Sequence, residues 1–375
     1  MKSNLNTSKG MALVAGLISL LLTACTTTQD FRSLNPGDQT VHILDSICME
    51  ALHQEKYPGL AIAIVHGGKT LWSKGYGYAD LELKQAVDPS GHLFRIGSVS
   101  KSITASAMAR LSEKGSIDLD IPIDNYFKEC PDDKNEITLR QLGGHAAGIR
   151  HYKGAEFLSN IHYDRIRDAL EVFIHDDLLF KPGTDYHYST YGWTLLSAVM
   201  EDAANKTFLK ILDEEVKQPL RLKDLKADHI DSIHFKRVQF YELLNGNHVV
   251  SPKVDNSNKW AGGGLLCSAE DLAKYGFAHI AEGYLKKETL KEFTTSQFLT
   301  NGEKTGYGIG FYDETDKEGR TWHGHGGGSV GGTSRLLIYP EEKLVIVTLV
   351  NLSGAQMNGL AWTIADVIRN LPGKN

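Results

Sequence analysis

The chain has 375 residues, of which 46 are Asp or Glu and 40 are Lys or Arg, so its formal net charge is −6. With 41% apolar and 23% charged residues, it has the composition of a folded globular protein rather than of a disordered or fibrous one. The chain contains no long run of Lys or Arg, which excludes the electrostatic footprint of a nucleic-acid-binding protein. Four cysteines are too few for a disulfide scaffold.

The N-terminus has the pattern of an export signal. Two lysines precede a mostly apolar run, 11–24, which is shorter than the roughly 20 residues that a membrane-spanning helix needs. The run ends in Leu-Thr-Ala-Cys25, which resembles the bacterial lipobox, where the cysteine is lipidated and becomes the new N-terminus. We therefore expect a signal peptide over 1–24, lipidation at Cys25 and a polar tether over 25–40. This predicts a bacterial lipoprotein that faces the periplasm or the cell exterior, with an ordinary signal peptide as the alternative.

The rest of the chain begins and ends with strand patterns and is mostly helical in period between them. The predicted elements are a helix over 41–54, strands over 60–65 and 70–75, strands over 334–339 and 344–350, and a helix over 360–370. Gly67 and Gly68 favour a hairpin in the first strand pair because both can adopt positive φ.

These elements predict a mixed α/β fold of the α+β type. An antiparallel sheet built from both termini is flanked by helices, and a helical subdomain is inserted. We expect one catalytic-sized domain over 41–375, with α/β parts at about 41–97 and 300–375 and a helical part at about 98–299.

Ser98 and Lys101 form a Ser-x-x-Lys motif at the start of a predicted helix whose apolar face continues through Ile103 and Leu111. Residues i and i+3 share a helix face, so the amine can reach the hydroxyl. A serine hydroxyl needs an adjacent base to become a nucleophile, and a lysine with a lowered pKa can supply one. Alone the motif is weak, since a capping serine followed by an exposed lysine gives the same letters.

Two further motifs follow along the chain. Residues 186–195 read YHYSTYGWTL, and residues 323–334 read HGHGGGSVGGTS. With the first motif they resemble, in order, the three motifs of the serine β-lactamase and penicillin-binding protein superfamily. Its class C-like branch, which includes D-amino-acid peptidases and esterases, has Ser-x-x-Lys, Tyr-x-Asn and Lys/His-x-Gly. The matching residues are Ser98 and Lys101, Tyr188 to Thr190, and His325 to Gly327.

The resemblance covers about residues 55–365. Segments typical of the branch lie at 139–149, 262–272 and 306–310. The sequence around Ser98 is most similar to that of the mitochondrial serine β-lactamase-like proteins and their bacterial relatives. It implies a β-lactamase/transpeptidase-like fold and a serine hydrolase that works without metal or cofactor. Its substrate would be a small molecule or peptide with an ester or amide carbonyl.

The resemblance also implies the roles of individual residues. Ser98 would attack the carbonyl, Lys101 and Tyr188 would share the proton handling, and the backbone N–H groups of Ser98 and Gly328 would form the oxyanion hole. The phenol would be poised by cations at Lys101 and His325. The implied catalytic set is Ser98, Lys101, Tyr188 and His325, and the implied substrate-binding positions are Thr190, Gly326 and Gly327.

Two departures from the branch bear on the substrate. Its asparagine is Thr190 here, and the lysine of its third motif is His325, as in family esterases and D-amino-acid peptidases. A neutral imidazole gives less positive charge for a β-lactam carboxylate, so we favour a peptidase or esterase. The alternatives are a true β-lactamase or D-alanyl-D-alanine carboxypeptidase, and a non-catalytic lipoprotein that binds a muropeptide or partner.

Two rival motifs do not fit. Residues 327–331 match the Gly-x-Ser-x-Gly nucleophile elbow, but no histidine follows Ser329 to complete a triad. His323 and His325 stand two apart on a predicted strand, yet no further ligands stand near them in the arrangement of a zinc hydrolase.

Overall fold

The computed structural model describes Leu34 and residues 38–230, 236–357 and 359–371. The predicted signal peptide and Cys25 lie outside the described residues. Within the described part, no helix combines the length and the apolar character needed to cross a bilayer. The strands are β1 Gly59–His66, β2 Lys69–Asp80, β3 Gln85–Ala86, β4 Phe94–Arg95, β5 Lys226–Ala227, β6 Tyr241–Leu244, β7 Asn247–Val250, β8 Leu265–Cys267, β9 Tyr312–Thr315, β10 Thr321–Ser329, β11 Gly332–Tyr339 and β12 Leu344–Val350.

Helices alternate with these strands and fill the middle of the chain. They are α1 Gln39–Gln54, α2 Val99–Glu113, α3 Leu139–Gly143, α4 Ile166–Leu170, α5 Thr190–Ala204, α6 Phe208–Leu212, α7 Gln218–Leu220, α8 Trp260–Gly263, α9 Ala269–Ala278, α10 Lys287–Thr294 and α11 Leu360–Arg369. Short 3₁₀ turns lie at Ile123–Asn125, Gly154–Leu158 and Ser257–Lys259, and a π turn lies at Asp213–Lys217.

The main sheet joins both ends of the described chain. Its seven strands run in the order β3-β2-β1-β12-β11-β10-β9, and each neighbouring pair is antiparallel. The central strands β1 and β12 are apolar almost throughout because helices cover both faces. On β1, Leu60 and Ile62 pack in the cluster of α1 and α11, whereas Ala61 and Ala63 pack in the cluster that contains α2 and α9. The predicted antiparallel sheet flanked by helices is confirmed.

Both predicted hairpins are present. β1 and β2 are joined by Gly67 and Gly68, whose φ values of +57° and +86° are those of a tight two-residue turn. β11 and β12 form the second hairpin. β2 is longer than predicted because the glycine at 75 does not end the strand: a Cβ there would lie 2.1 Å from the carbonyl oxygen of Val87, so the glycine permits a close crossing.

α2 is the central helix of the molecule, and it is buried on nearly all sides rather than along one apolar face. Its hydroxyl side chains satisfy neighbouring backbone groups: Ser102 Oγ donates to the carbonyl of Gly310 over 2.6 Å, and Thr104 Oγ1 donates to the carbonyl of Ala261 over 2.8 Å. The hydroxyl groups of Ser102 and Thr104 therefore lie in the interior with hydrogen-bond partners. The predicted apolar face through Ile103 and Leu111 is buried, and the burial of the hydroxyl-bearing side was not predicted because such hydroxyl contacts leave no periodic signal.

A small sheet positions the first residues of α2. β4 pairs antiparallel with β8, so Phe94 faces Cys267 and Arg95 faces Leu266, and the N–H of Ile96 donates to the carbonyl of Leu265 over 3.1 Å. This ladder brings the first residues of α2 beside the end of α8.

Candidate active site

Ser98 is the residue immediately before α2, and Lys101 lies in the first turn of the helix. Lys101 Nζ lies 3.2 Å from Ser98 Oγ, within hydrogen-bonding distance. The serine hydroxyl does not cap the helix. It is therefore oriented toward the amine, as the i, i+3 spacing predicts.

Lys101 is fully buried, unlike the exposed lysine of a chance motif. The amine donates to the hydroxyl of Thr190 over 3.1 Å and to the carbonyl of Gly262 over 2.5 Å. Both partners are uncharged, so nothing in this contact set compensates a positive charge. Burial lowers the pKa of Lys101 well below its usual value of 10.5. The site thus favours the neutral amine, which is the form that can accept a proton.

The half-buried phenol of Tyr188 completes the contact set around the serine. Burial raises its pKa well above the usual value of 10, and a hydrogen bond with Ser98 lowers it by less. Lys101 Nζ lies 4.7 Å from the centre of the tyrosine ring. Burial disfavours the charged forms of both Lys101 and His325, the two side chains expected as cations beside this phenol. The phenol keeps its proton in the resting site.

His325 is buried and lies on β10. Its Nδ1 is 2.5 Å from the carbonyl oxygen of Gly326, which can only accept, so Nδ1 carries the proton. Nε2 therefore accepts from the hydroxyl of Tyr307, at 2.9 Å. Burial lowers the pKa of His325 to about 3, so the imidazole is neutral near pH 7. Its ring centre lies 6.2 Å from that of Tyr188, at the same end of the site.

Glycines let β10 approach the start of α2. A Cβ on Gly327 would lie 2.0 Å from the carbonyl oxygen of Ile96, and a Cβ on Gly97 would lie 2.7 Å from the amide nitrogen of Gly328. Gly97 itself has a φ of +49°. These contacts bring Gly328 beside Gly97, the residue that precedes Ser98. A Cβ on Gly328 would meet no atom within 4 Å, so the space on that side of the residue is open.

Two histidines hold the second motif in place. The N–H of Ser189 donates to Nδ1 of His145 over 3.1 Å, and the N–H of Thr190 donates to Nδ1 of His151 over 3.2 Å. The rings of His145 and Tyr188 also lie 4.2 Å apart. Burial lowers the pKa of His145 well below its usual value and that of His151 to about 4, so both rings accept as neutral imidazoles. They fix the position of the phenol.

The structure brings most of the predicted residues together. Ser98, Lys101, Tyr188 and Thr190 are in direct contact, and Gly328 lies beside them. Gly326 differs, because a Cβ there would point at the guanidinium of Arg335, 2.8 Å away, rather than at Ser98. The contributions of His145, His151, Gly262 and Tyr307 were not predicted from the sequence. All four lie in or beside the segments 139–149, 262–272 and 306–310, which resemble the family. That resemblance was the only signal in the sequence that could have identified them.

Comparisons with known proteins identify the family of this chain. The family model described as "Beta-lactamase" matches residues 44–368. The human mitochondrial serine beta-lactamase-like protein LACTB is 28% identical, over 82% of this chain and 76% of its own length. The octameric penicillin-binding protein homologue from Pyrococcus abyssi is 25% identical with a TM-score of 0.76, covering 89% of this chain and 78% of that one.

A further solved structure shares the fold. The D-amino acid amidase from Ochrobactrum anthropi SV3, solved with L-phenylalanine amide, is 19% identical with a TM-score of 0.76, covering 88% of this chain and 97% of that one. The family match spans nearly all of the described sheet and helices, including the elements that carry Ser98, Tyr188 and His325. The chain therefore belongs to the beta-lactamase family and is a serine hydrolase of that family.

Proposed function

We propose that this protein is a peptidase or esterase that acts through an acyl-enzyme on Ser98. The observation that carries the proposal is the contact of Ser98 Oγ with a buried lysine amine, at 3.2 Å, whose pKa burial lowers. A neutral amine beside a hydroxyl is the base that serine attack requires.

The proposed reaction has two stages, acylation of Ser98 and hydrolysis of the acyl-serine. Ser98 Oγ forms a bond to the substrate carbonyl carbon while its proton passes to Lys101 Nζ, and the N–H groups of Ser98 and Gly328 hold the resulting oxyanion. When the C–N or C–O bond to the leaving group breaks, Tyr188 gives its proton to the departing atom and is reprotonated from Lys101. Water then attacks the acyl-serine by the same steps in reverse, which releases the acid and restores Ser98.

The electrostatics of the site favour substrates without a carboxylate next to the scissile bond. Burial keeps His325 neutral down to about pH 3 and favours neutral Lys101, so neither supplies a fixed charge to pair with a carboxylate. A β-lactam or a terminal D-Ala-D-Ala peptide carries such a group. Amides and esters with uncharged ends are therefore the preferred class.

The decisive experiment labels purified protein with a fluorescent fluorophosphonate. We expect labelling that Ser98→Ala abolishes and that Ser116→Ala, at an exposed serine just beyond α2, leaves unchanged. A substrate panel of p-nitrophenyl esters, amino-acid amides, D-Ala-D-Ala peptides and nitrocefin then ranks the classes. Preferred turnover of nitrocefin or D-Ala-D-Ala peptides would replace this proposal by the β-lactamase or carboxypeptidase alternative.

The non-catalytic alternative predicts a different result in the same panel. A protein that only binds a muropeptide or partner gives neither labelling of Ser98 nor turnover of any ester or amide. The burial of Lys101 argues against it. A buried lysine destabilises the fold, so a protein that does not use the amine would be more stable with an apolar side chain at this position.

We also propose that the protein is exported and anchored to a membrane through lipid on Cys25. The support is the basic and apolar pattern before that residue and the lipobox-like ending. In cells fed radiolabelled palmitate, the wild type should carry label and sediment with membranes, whereas Cys25→Ala should lose both. Wild-type protein without label would overturn the proposal.

A further inference from the structure

Arg95 is a buried arginine on β4, three residues before Ser98. Its side chain is 7% exposed, and the carboxylate that it faces, Asp228, is 2% exposed. Arg95 Nε donates to Asp228 Oδ2 over 2.7 Å, and Nη1 donates to the carbonyl oxygen of Val330 over 2.7 Å. The central carbon of the guanidinium lies 4.0 Å from the centre of the Phe240 ring. Two polar contacts and one aromatic contact therefore hold the guanidinium in place.

Arg95 connects the segment before the serine to the end of β10. Val330 follows β10 in the tight turn to β11, two positions after Gly328. The two backbones also meet here, because a Cβ on Gly332 would lie 2.7 Å from both Cβ and the carbonyl oxygen of Arg95. The contact with Val330 therefore fixes the end of β10 relative to β4, and hence relative to the start of α2.

Asp228 connects the same arginine to the end of α8. The backbone N–H of Asp228 donates to the carbonyl of Gly264 over 2.9 Å, and its Oδ2 also accepts from Nδ2 of Asn256 over 2.7 Å. Gly264 follows α8 and lies two residues beyond Gly262, whose carbonyl accepts from Lys101. One ion pair thus joins three backbone segments that carry or contact the site: β4, the end of α8 and the turn after β10.

Stability alone does not account for a buried ion pair at this position. Removing two charges from water costs about as much as their attraction returns, so apolar side chains of similar size are often as stabilising or more so. A guanidinium can hold a carboxylate and a backbone carbonyl at once, because its N–H groups have fixed directions. The contribution that apolar packing cannot replace is a defined geometry between the segments that the pair joins.

We propose that the Arg95–Asp228 pair holds Ser98 in position against β10, so that Arg95 is a positioning residue for acyl transfer and takes no part in proton transfer. This inference rests on the proposed acyl-enzyme at Ser98. A displacement of about 1 Å at a reacting group can lower the rate about 10²-fold. Loosening the contacts of Arg95 should therefore lower the rate of the chemical step in molecules that are folded.

The test measures kcat and KM for a p-nitrophenyl ester and divides each rate by the number of sites that fluorophosphonate labels to completion. Unfolded molecules do not enter this measure, so a purely structural role leaves it unchanged. Arg95→Lys keeps the charge opposite Asp228 but replaces the directed N–H groups by one ammonium group. We expect kcat per labelled site to fall by about tenfold or more, with KM within about twofold of wild type.

A double variant separates geometry from charge. Arg95→Met leaves the carboxylate of Asp228 buried without its main partner, whereas Arg95→Met combined with Asp228→Asn removes both charges. Arg237, the other cation beside Asp228, is 26% exposed and stays in contact with water. The double variant should have a higher urea midpoint than Arg95→Met and still have a low kcat per labelled site. If kcat recovers with the midpoint, the pair serves stability alone and the inference is wrong.

Arg369 provides the matched control. Its side chain is 10% exposed, pairs with Glu342 over 2.9 Å and lies 4.3 Å from the ring centre of Tyr339, but it belongs to α11, on the other face of the main sheet. Arg369→Lys should leave kcat per labelled site unchanged. An equal decrease in Arg369→Lys and Arg95→Lys would overturn the inference.

The remaining outcomes distinguish this inference from the proposed function. Wild-type kcat per labelled site in Arg95→Lys would refute the positioning role, and failure of Arg95→Lys to fold would assign the pair to stability and refute it as well. The proposed function stands in both cases, because the wild type still labels and turns over. If the wild type neither labels at Ser98 nor hydrolyses any ester, the proposed function fails, and the inference fails with it.

Discussion

Replacing Lys101 by methionine tests directly whether the buried amine is uncharged in the folded protein. Lys101→Met keeps an unbranched chain of similar length and removes the titrating group. In the unfolded chain the lysine has its usual pKa of 10.5, whereas burial in the fold lowers the pKa well below that value. At pH values between the folded-state pKa and 10.5, unfolding therefore takes up a proton in the wild type and not in the variant.

The size of the effect follows from proton linkage. Between the folded-state pKa and 10.5, the unfolded state binds more protons than the folded state, so stability rises with pH and is lost as pH falls. The wild-type free energy of unfolding should rise relative to that of Lys101→Met by about 1.4 kcal/mol per pH unit in this window. From about pH 7 to pH 9 the difference should grow by up to about 2.7 kcal/mol.

Urea titrations of both proteins at several pH values, followed by tryptophan fluorescence, measure this slope. The variant also leaves the hydroxyl of Thr190 and the carbonyl of Gly262 without their amine partner, which costs about 1 to 3 kcal/mol. That loss is an offset and does not depend on pH. Parallel curves for the two proteins would refute the reasoning, because they would mean that the folded amine keeps its proton and cannot serve as the base.

Tyr188→Phe should lower the rate of acylation by a factor of about 10² to 10⁴, measured with a p-nitrophenyl ester, because the phenol proton is lost; wild-type rates would contradict its role. Gly327→Ala places a Cβ 2.0 Å from the carbonyl oxygen of Ile96 and should lower the free energy of unfolding by about 2 kcal/mol or more, while Gly328→Ala should change it by less than about 0.5 kcal/mol. Equal urea midpoints for the two alanine variants would show that the close approach of β10 does not need glycine. Acidification from about pH 6.5 should destabilise the wild type by about 1.4 kcal/mol per unit for each buried neutral histidine such as His279, whose pKa burial lowers from 6.5 to about 4, because the unfolded state takes up the proton first. His279→Gln should therefore have a flatter stability profile over this range, and an identical profile would count against a neutral His279.

Periodicity and turn chemistry in the sequence were enough to predict the four central strands of the sheet, β2, β1, β12 and β11. The apolar runs of β1 and β12 and the positive-φ glycines between β1 and β2 are local signals, so they survive in a single sequence. The surroundings of α2 were not predictable in the same way. Its buried hydroxyls contact the carbonyls of Gly310 and Ala261, which are more than 150 positions away, and no local pattern encodes such partners.

The same distinction between local signals and distant contacts applies to the candidate site. The spacing of Ser98 and Lys101 predicted their contact because helix geometry fixes an i, i+3 pair. The charge states of Lys101, Tyr188 and His325 could not be predicted, because each pKa depends on how completely distant elements exclude water. Burial disfavours the cations expected at Lys101 and His325 for this reason.

The sequence by itself determined which residue types are available to react, that Ser98 precedes a helix with Lys101 one turn on, and that three motifs occur in the order of a known family. The tertiary structure decided everything that depends on contacts between remote segments. It places Gly262 and Thr190 on the lysine amine and two neutral histidines on the backbone of the tyrosine motif. The physical reason is that the covalent chain fixes the order and spacing of the reactive residues. Their burial, their pKa values and the room for a substrate arise only when separate elements pack around them.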